Sequence, residues 1–157
     1  MKKKAKRIAV ELGNVSYDTK MLMLYEELQG KRYVVYSDGS FKNGVGGCAW
    51  VILHKGTLIK KSACSFEHDG NASVRAELLA VMYALRDCPP NTTIDVYVDC
   101  QAIIKKIAKG RLDDLKEEFE SASKEKDIRL HWVRSHEGNV YNEMVDMMAF
   151  WAMKVKI

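Results

Sequence analysis

The order of predicted strands and helices is the feature that most constrains the fold of this chain. Three runs rich in β-forming residues come first, at 33–37, 46–54 and 58–66. The pattern then changes to helical spacing and alternates, which gives the order β-β-β-α-β-α-α-β-α. Strands separated by helices need crossover connections. We therefore expect an α/β fold with a mixed five-stranded sheet, three antiparallel strands then two parallel strands, and helices on both faces.

Periodicity and stop signals define the later elements. Apolar residues recur at helical spacing across 72–87, and Pro89-Pro90 ends that helix because proline cannot continue it. We expect Asn71 or Ser73 to cap its N-terminus. The remaining predicted elements are strands at 94–98 and 128–133 and helices at 101–109, 112–124 and 141–154.

Composition limits the class of protein. The 157 residues fit one domain, and they contain no apolar run long enough to span a membrane. No apolar segment of the signal-peptide kind follows the basic start, so we expect no export signal and a cytoplasmic location. Cys48, Cys64, Cys88 and Cys100 lack zinc-ligand or disulfide spacing, which favours reduced thiols. Nothing in the sequence identifies a protein partner, and we expect a monomer.

The positive charge is concentrated in the first 32 residues. This segment has eight Lys and Arg against four acidic residues, whereas 33–157 has 17 of each. Such asymmetry is typical of chains that bind a polyanion, although a basic tail that only aids solubility explains it equally well. We treat 1–32 as a basic N-terminal extension of undetermined structure, in which 7–12 could form a strand and 17–29 a helix.

Four acidic residues lie where a site would form. Asp38 and Asp99 each end an apolar strand-like run, Glu77 lies at the border of the buried face of a helix, and Asp146 follows Asn142 by one helical step. Each acid alone has a structural explanation: a turn, a helix cap or a solvated position. Ligand sites in α/β sheets form at the carboxyl ends of the strands, however. Four acids at that edge therefore predict a shared site.

Carboxylates without Cys or His ligands suit hard cations such as Mg²⁺ or Mn²⁺. Four of them carry enough charge for two ions, and a pair of ions can activate water and stabilise the leaving oxygen of a phosphodiester. The sequence shows no serine or cysteine nucleophile with a paired base, which favours water as the nucleophile. His136 lies in the loop RSHEGN, a setting that is usually just surface.

Four motifs together resemble those of the type 1 ribonuclease H family over about 33–157. They are Asp38-Gly39-Ser40, Arg75-Ala76-Glu77-Leu78, Asp99-Cys100-Gln101 and the segment HWVRSHEGNVYNEMVDMMA at 131–149. The last is the most specific, because its histidine, glycine, asparagine and aspartate have the family's relative spacing. The resemblance implies an RNase H-like fold in which 33–157 is the catalytic domain.

The resemblance also implies a reaction: endonucleolytic hydrolysis of the RNA strand of RNA/DNA hybrids, with two Mg²⁺ ions or with Mn²⁺, leaving 5′-phosphate and 3′-hydroxyl ends. Asp38 would bridge both ions. Glu77 and Asp99 would hold the ion on the leaving-group side, and Asp146 would hold the ion beside the attacking water. His136 would assist proton transfer or product release.

The resemblance implies that the hybrid is recognised through consecutive 2′-hydroxyl groups of its RNA strand. The residues at the family's substrate positions are Ser40, Ser73, Arg75, Gln101 and Asn142. Ser73-Val74 stand where relatives often have two asparagines, so the chain departs from the family there. The basic helix with which many relatives grip the duplex is absent, because the helix at 112–125 is acidic and we expect it to be exposed.

A duplex is held by cations against its phosphates. Because 33–157 is neutral overall, we take as a hypothesis that the basic start of the chain supplies part of the missing affinity. The residues concerned are Lys2, Lys3, Lys4, Lys6 and Arg7.

Three alternatives stay open on the sequence. Another nuclease of the same fold (a resolvase, a transposase-type strand cutter or a 3′-5′ exonuclease) would share the acids but not this histidine loop with Asn142 and Asp146. A binding module whose catalysis has lapsed would not need all four acids. The third alternative is a detached domain of a reverse transcriptase. Met1 and the C-terminal helix favour a free-standing protein instead.

Overall fold

The computed structural model describes residues 7–11 and 15–157 and confirms the α/β class. Lys2, Lys3, Lys4 and Lys6 therefore lie outside the described residues. The strands are β1 Arg7–Glu11, β2 Arg32–Lys42, β3 Val45–His54, β4 Thr57–Glu67, β5 Thr92–Val98 and β6 Lys126–Trp132. The helices are α1 Tyr17–Leu28, α2 Ser73–Arg86, α3 Gln101–Ala108, α4 Lys116–Ser123 and α5 Val140–Val155, with a 3₁₀ turn at Asp113–Leu115.

All six strands form one mixed sheet in the order β1-β6-β5-β2-β3-β4. The pairs β2–β3 and β3–β4 are antiparallel, while β2–β5 and β5–β6 are parallel, which confirms the predicted arrangement of these five. The predicted strand count is corrected from five to six, because β1 pairs in parallel with the edge of β6. A run of three apolar residues, Ile8-Ala9-Val10, is too short for periodicity to establish it as a strand.

The larger core lies between the sheet and helices α2, α3 and α4. The expectation that the acidic helix near 112–124 is exposed is wrong for one of its sides. Phe119 is 1% exposed and packs with Ala122 in this core, so only the charged side of α4 faces solvent. Phe119, Ala122 and the buried Ser123 form the inner side of α4, and most of its other residues are charged.

The second face carries a smaller core under α5, where Val145 and Ala149 pack against Ala49 and Val51. Gly47 allows the helix to approach, since a Cβ at this position would lie 2.1 Å from the carbonyl oxygen of Ala149. The position of α5 on the sheet is therefore tightly defined.

The rest of this face is polar, and α1 covers it. Asp95 is fully buried and accepts hydrogen bonds from Arg32 Nε (2.6 Å) and from Arg129 Nε and Nη2 (2.7 and 2.8 Å). His131 Nε2 lies 2.7 Å from the same carboxylate. Glu26 of α1 accepts from Arg129 Nη2 at 2.8 Å. Helix α1 thus packs on the sheet, and the division of the chain at 32/33 stays a prediction.

Among the described residues, no helix combines the length and the apolar character that crossing a lipid bilayer requires.

Candidate active site at the carboxyl edge of the sheet

Asp38 lies inside β2, not at its end as the sequence suggested. Beyond Asp38, β2 stays paired with β3 as far as Lys42. On its other side, the parallel pairing with β5 stops at Tyr36 and Tyr97. Asp38 therefore lies beside the point where β5 ends and Asp99 follows. The predicted edge of the sheet is right, and the predicted strand end is wrong because the hairpin with β3 continues past it.

Glu77 reaches Asp38 because α2 begins very close to β2. A Cβ on Gly39 would lie 2.4 Å from both the carbonyl carbon of Ala76 and the backbone nitrogen of Glu77, so this approach requires glycine. As a result, Asp38, Glu77 and Asp99 offer carboxylate oxygens within 4.8 Å of one another. We call these three residues the acid cluster.

Asp146 and His136 lie beside the acid cluster. Asp146 is exposed on α5 and is not one of the three residues within 4.8 Å, yet its charge contributes to raising the pKa of Asp99. His136 has a left-handed backbone (φ 58°) in the exposed loop before α5. Burial is the main cause that raises the pKa of Asp99, whereas the hydrogen bond from Ser135 Oγ (3.0 Å) and the nearby His136 oppose it.

In the part of the chain that the structure describes, no Lys or Arg forms an ion pair with Asp38, Glu77 or Asp99. Burial, followed by the charge of Glu77, its hydrogen bond and the charge of Asp99, raises the pKa of Asp38 to about 11. Burial and the charge of Asp99 raise the pKa of Glu77 to about 8. Glu77 Oε2 is buried with no hydrogen-bond partner in the described part of the chain. An orphaned carboxylate oxygen among crowded acids fits a hard divalent cation, whose ligands are oxygens.

Three of the predicted substrate residues already have partners. Arg75 Nη1 donates to both carboxylate oxygens of Asp114, at 2.9 and 3.0 Å, and so ties α2 to the turn before α4. Ser40 Oγ donates to the sulfur of Met153 at 3.4 Å. Ser73 begins α2, and its N–H and Oγ donate to Oδ1 of Asn71. The N-cap residue is Ala72, which has no capping side chain, so the predicted capping by Asn71 or Ser73 is wrong because the helix begins one residue after Asn71 would cap it.

Gln101 is exposed at the start of α3, directly after the acid cluster. Asn142 is only 2% exposed, and its Oδ1 has no hydrogen-bond partner among the residues described. Its backbone N–H donates to Oδ1 of Asn139, which caps α5. The side chain of Asn142 lies inside the protein. Its predicted contact with the hybrid therefore stays a prediction.

Arg7 is the only described residue of the basic start, and its backbone lies far along the sheet from the acid cluster. β1 runs parallel to β6, with Arg7 opposite Asp127 near the amino end of that strand. Asp99 lies at the carboxyl ends of the parallel strands. At about 3.3 Å per residue, the strands separate the two ends. Binding of the hybrid by Arg7 and the preceding lysines stays a prediction.

A basic surface on α3 was missed by reasoning from the sequence. Lys105, Lys109 and Arg111 are exposed, and Lys106 lies among them, on the helix and turn that follow Gln101. The run KKIAKGR was a sufficient signal. The charge count over the whole of 33–157 concealed it, because acidic residues of α4 cancel these cations in the sum.

The fold and the site define an α/β protein with clustered carboxylates at the carboxyl edge of a mixed sheet. Comparison with known proteins agrees with this description. Residues 30–154 match the family model described as RNase H. A ribonuclease H of Neorickettsia sennetsu is 31% identical over 139 residues, which cover 76% of this chain and 91% of that protein. One of Cupriavidus pinatubonensis is 32% identical over 135 residues (74% and 91%), and a ribonuclease HI of Caulobacter vibrioides is 29% identical over 136 residues (75% and 90%).

The chain belongs to the RNase H family and is a ribonuclease H enzyme, a nuclease of the hydrolase class.

Proposed function

We propose that the chain is an endonuclease that hydrolyses the RNA strand of RNA/DNA hybrids. The observation that carries the proposal is the acid cluster, in which Asp38, Glu77 and Asp99 converge from β2, α2 and the end of β5 and leave Glu77 Oε2 without a partner. Relatives named ribonuclease H, matched over about nine-tenths of their length, support the substrate class.

The acid cluster would hold a divalent cation, Mg²⁺ or Mn²⁺, and Asp146 beside it supplies the fourth carboxylate for a second ion. When bound, such ions supply Lewis acidity to the phosphate and make water a stronger nucleophile. By the family resemblance, Asp38 and Asp146 would both be ligands of these ions.

His136 is suited to moving a proton. It lies in an exposed loop beside Asp99, and an imidazole is the side chain that can accept and release a proton near neutral pH. Water attacks phosphorus and the bond to the 3′ oxygen breaks, so one product carries a 5′-phosphate and the other a 3′-hydroxyl.

The hybrid would lie across the acid cluster, with its RNA strand recognised through 2′-hydroxyl groups. Gln101 is exposed beside the cluster and can contact the backbone. The exposed cations of α3, Lys105, Lys109 and Arg111, can neutralise phosphates next to it. Arg75 is held by Asp114, which orients its guanidinium for any further contact.

Cleavage of a labelled RNA/DNA hybrid in Mg²⁺ and in Mn²⁺ tests the proposal, with duplex DNA, duplex RNA and a four-way junction in parallel. We expect only the RNA strand of the hybrid to be cut. End-labelling of the products should show that they carry 5′-phosphate and 3′-hydroxyl ends. Asp38→Asn should abolish cleavage. Asp113→Asn is the matched control, because Asp113 is exposed and has a left-handed backbone that asparagine tolerates.

Cleavage of the junction in place of the hybrid would support the proposed catalytic site but refute the proposed substrate. Binding of the hybrid without cleavage of any substrate would refute the catalytic proposal.

A further inference from the structure

Helix α1 carries its apolar residues on the side that faces away from the protein. None of its 12 residues is buried. Tyr17, Met21, Leu24 and Leu28 are 74%, 47%, 49% and 76% exposed. A surface helix of a globular protein normally turns its apolar stripe inward and its polar side outward, so this orientation is reversed.

Ion pairs and hydrogen bonds determine the orientation. Glu26 accepts from Arg129 Nη2 (2.8 Å) and from Thr93 Oγ1 (2.5 Å), and Glu27 Oε2 lies 3.4 Å from Arg32 Nη1. The face of the sheet beneath α1 is charged, and it holds the acidic side of the helix. The apolar side is consequently left without a partner within the described chain.

The exposed residues follow the spacing of a helix-pairing seam. Tyr17, Met21, Leu24 and Leu28 are separated by four, three and four positions, which places them in one stripe along the helix. We call these four residues the α1 seam. Twelve helical residues extend about 18 Å, or roughly three turns. An apolar stripe of this kind on a folded surface indicates an interaction site.

We propose that the α1 seam is the interface of a homodimer, in which the α1 helices of two copies pack antiparallel across a two-fold axis. Lys20 and Glu27 flank the seam on one side, seven residues apart. An antiparallel pairing brings Lys20 opposite the partner's Glu27, and symmetry makes that pair twice. A parallel pairing would place Lys20 opposite the partner's Tyr25 and would lose the match.

Both residues are available for this contact. Lys20 is exposed, and the side chain of Glu27 keeps 36% of its surface exposed despite its ion pair with Arg32. An interface that occurs twice by symmetry must be complementary to itself, and this charge pattern meets that condition. The occupant that the seam fits is therefore a second copy of this chain.

Helix α5 extends the apolar surface on the same side of the sheet. Both α1 and α5 contact β2, and α5 exposes Met147, Phe150 and Trp151. A stable interface buries about 800 Å² on each partner, which is more than three helical turns supply. We include these α5 residues in the interface. The monomer expected from the sequence is the alternative that the following experiment tests.

Sedimentation equilibrium of the full chain over a wide range of concentrations tests the proposal. We expect a monomer–dimer equilibrium, and Leu24→Glu should raise the dissociation constant by about tenfold or more, because it buries a charge in the seam. Ile59→Glu is the matched control: Ile59 is 54% exposed on β4, and its substitution should leave the constant unchanged. Unchanged circular dichroism will show that both variants are folded.

Charge exchange is the sharper test. Lys20→Glu and Glu27→Lys should each weaken the dimer, and the double variant should restore it, because only the antiparallel pairing joins these two residues. A wild type that is monomeric at every concentration overturns the proposal, as does a Lys20→Glu variant that dimerises as tightly as the wild type. Binding of the monomer to vesicles of anionic phospholipid, lost in Leu24→Glu, would assign the seam to a membrane surface and would equally overturn it.

Discussion

Two clusters of acidic residues lie close together along the chain, one around Asp95 in β5 and one that includes Asp99 just after β5, and they differ in their counter-charges. Asp95 is enclosed by Arg32, Arg129 and His131, each with a ring or guanidinium nitrogen within 2.8 Å of its carboxylate. Asp99 belongs to the acid cluster with Asp38 and Glu77, and Ser135 Oγ donates to its carboxylate at 3.0 Å. Asp95 is fully buried, whereas Asp99 is half-buried. Of the two clusters, only the one around Asp95 pairs its carboxylate with guanidinium groups of the described residues.

This difference in counter-charge distinguishes a structural cluster from a candidate ligand-binding cluster. Burial alone would raise the pKa of Asp95, but the hydrogen bonds and charges of Arg129, His131 and Arg32 bring it well below the usual range. Burial raises the pKa of Asp38 to about 11, with neighbouring carboxylates adding to the effect. A buried network with matched charges fastens elements together, whereas an unmatched one costs stability and is retained where a ligand supplies the missing charge.

The largest expected effect comes from removing the balanced carboxylate. Asp95→Asn removes the fully buried counter-charge that Arg32 and Arg129 share and leaves them only the partly exposed Glu27 and Glu26, so the free energy of unfolding should fall by about 3–5 kcal/mol. Urea denaturation measures the change, with Asp113→Asn as the control. A loss within error of that control would show that the network contributes no net stability.

Addition of Mg²⁺ should stabilise the wild type through the acid cluster. At a concentration about a hundredfold above the dissociation constant, mass action predicts about 2.7 kcal/mol, seen as a rise in Tm by calorimetry. Asp38→Asn should lose most of this response, and Asp95→Asn should keep it. An equal response of both variants to Mg²⁺ would place the ion elsewhere.

The stability contributed by Asp95 should depend on pH in a defined direction. Its folded pKa is lowered, so its contribution is fully present above the unfolded pKa of about 3.9 and is lost as the pH falls towards the folded value. The difference in unfolding free energy between the wild type and Asp95→Asn should therefore shrink below about pH 4, by up to about 1.4 kcal/mol per pH unit. A difference that stays constant down to acid denaturation would refute the assignment.

Asp38→Asn should change stability in the opposite sense to Asp95→Asn. In the absence of divalent cations, removing one of three crowded carboxylates should raise the free energy of unfolding by about 1 kcal/mol while cleavage is lost. Urea denaturation in a chelator measures the first, and the hybrid assay measures the second. Destabilisation would mean that Asp38 has a structural role that its surroundings do not show.

The smallest expected effect comes from removing the surface cations that would contact the phosphates of a hybrid, none of which belongs to either acidic cluster. Replacing Lys105, Lys109 and Arg111 by glutamine should raise KM several-fold and flatten its dependence on salt, because fewer counterions are released. The same replacement of Lys2, Lys3, Lys4 and Lys6 compares the basic start with α3. Unchanged KM and salt dependence in the second set would remove the start of the chain from the binding surface.

Much of the fold could be predicted from local patterns. Runs rich in β-forming residues identified β2–β6, and helical spacing and composition identified α2–α5, to within a few residues, except that β2 runs five residues past its predicted end. The proline pair after α2 and the two strand-like runs that stop near Asp38 and Asp99 located the edge where three of the four acids converge. These features are encoded by neighbours in the chain, so a reader of the sequence can find them.

Other features depend on residues far apart in the chain. The burial of one side of α4 depends on Phe119 reaching the core of α2, and the continuation of β2 past Asp38 depends on its pairing with β3. No local pattern indicates either, because each arises when separate elements pack together.

By itself, the sequence determined the order of the elements from β2 onward, three acids that converge at one edge of the sheet, and the family of the enzyme. Only the tertiary structure decided which buried acids are neutralised. The Asp95–Arg129 pair spans 34 residues and the Glu26–Arg129 pair spans 103. The sign of a residue's charge is written in the chain, but its counter-charge and its distance from water are set by packing, and these two quantities make Asp95 a structural residue and Asp38 a candidate ligand.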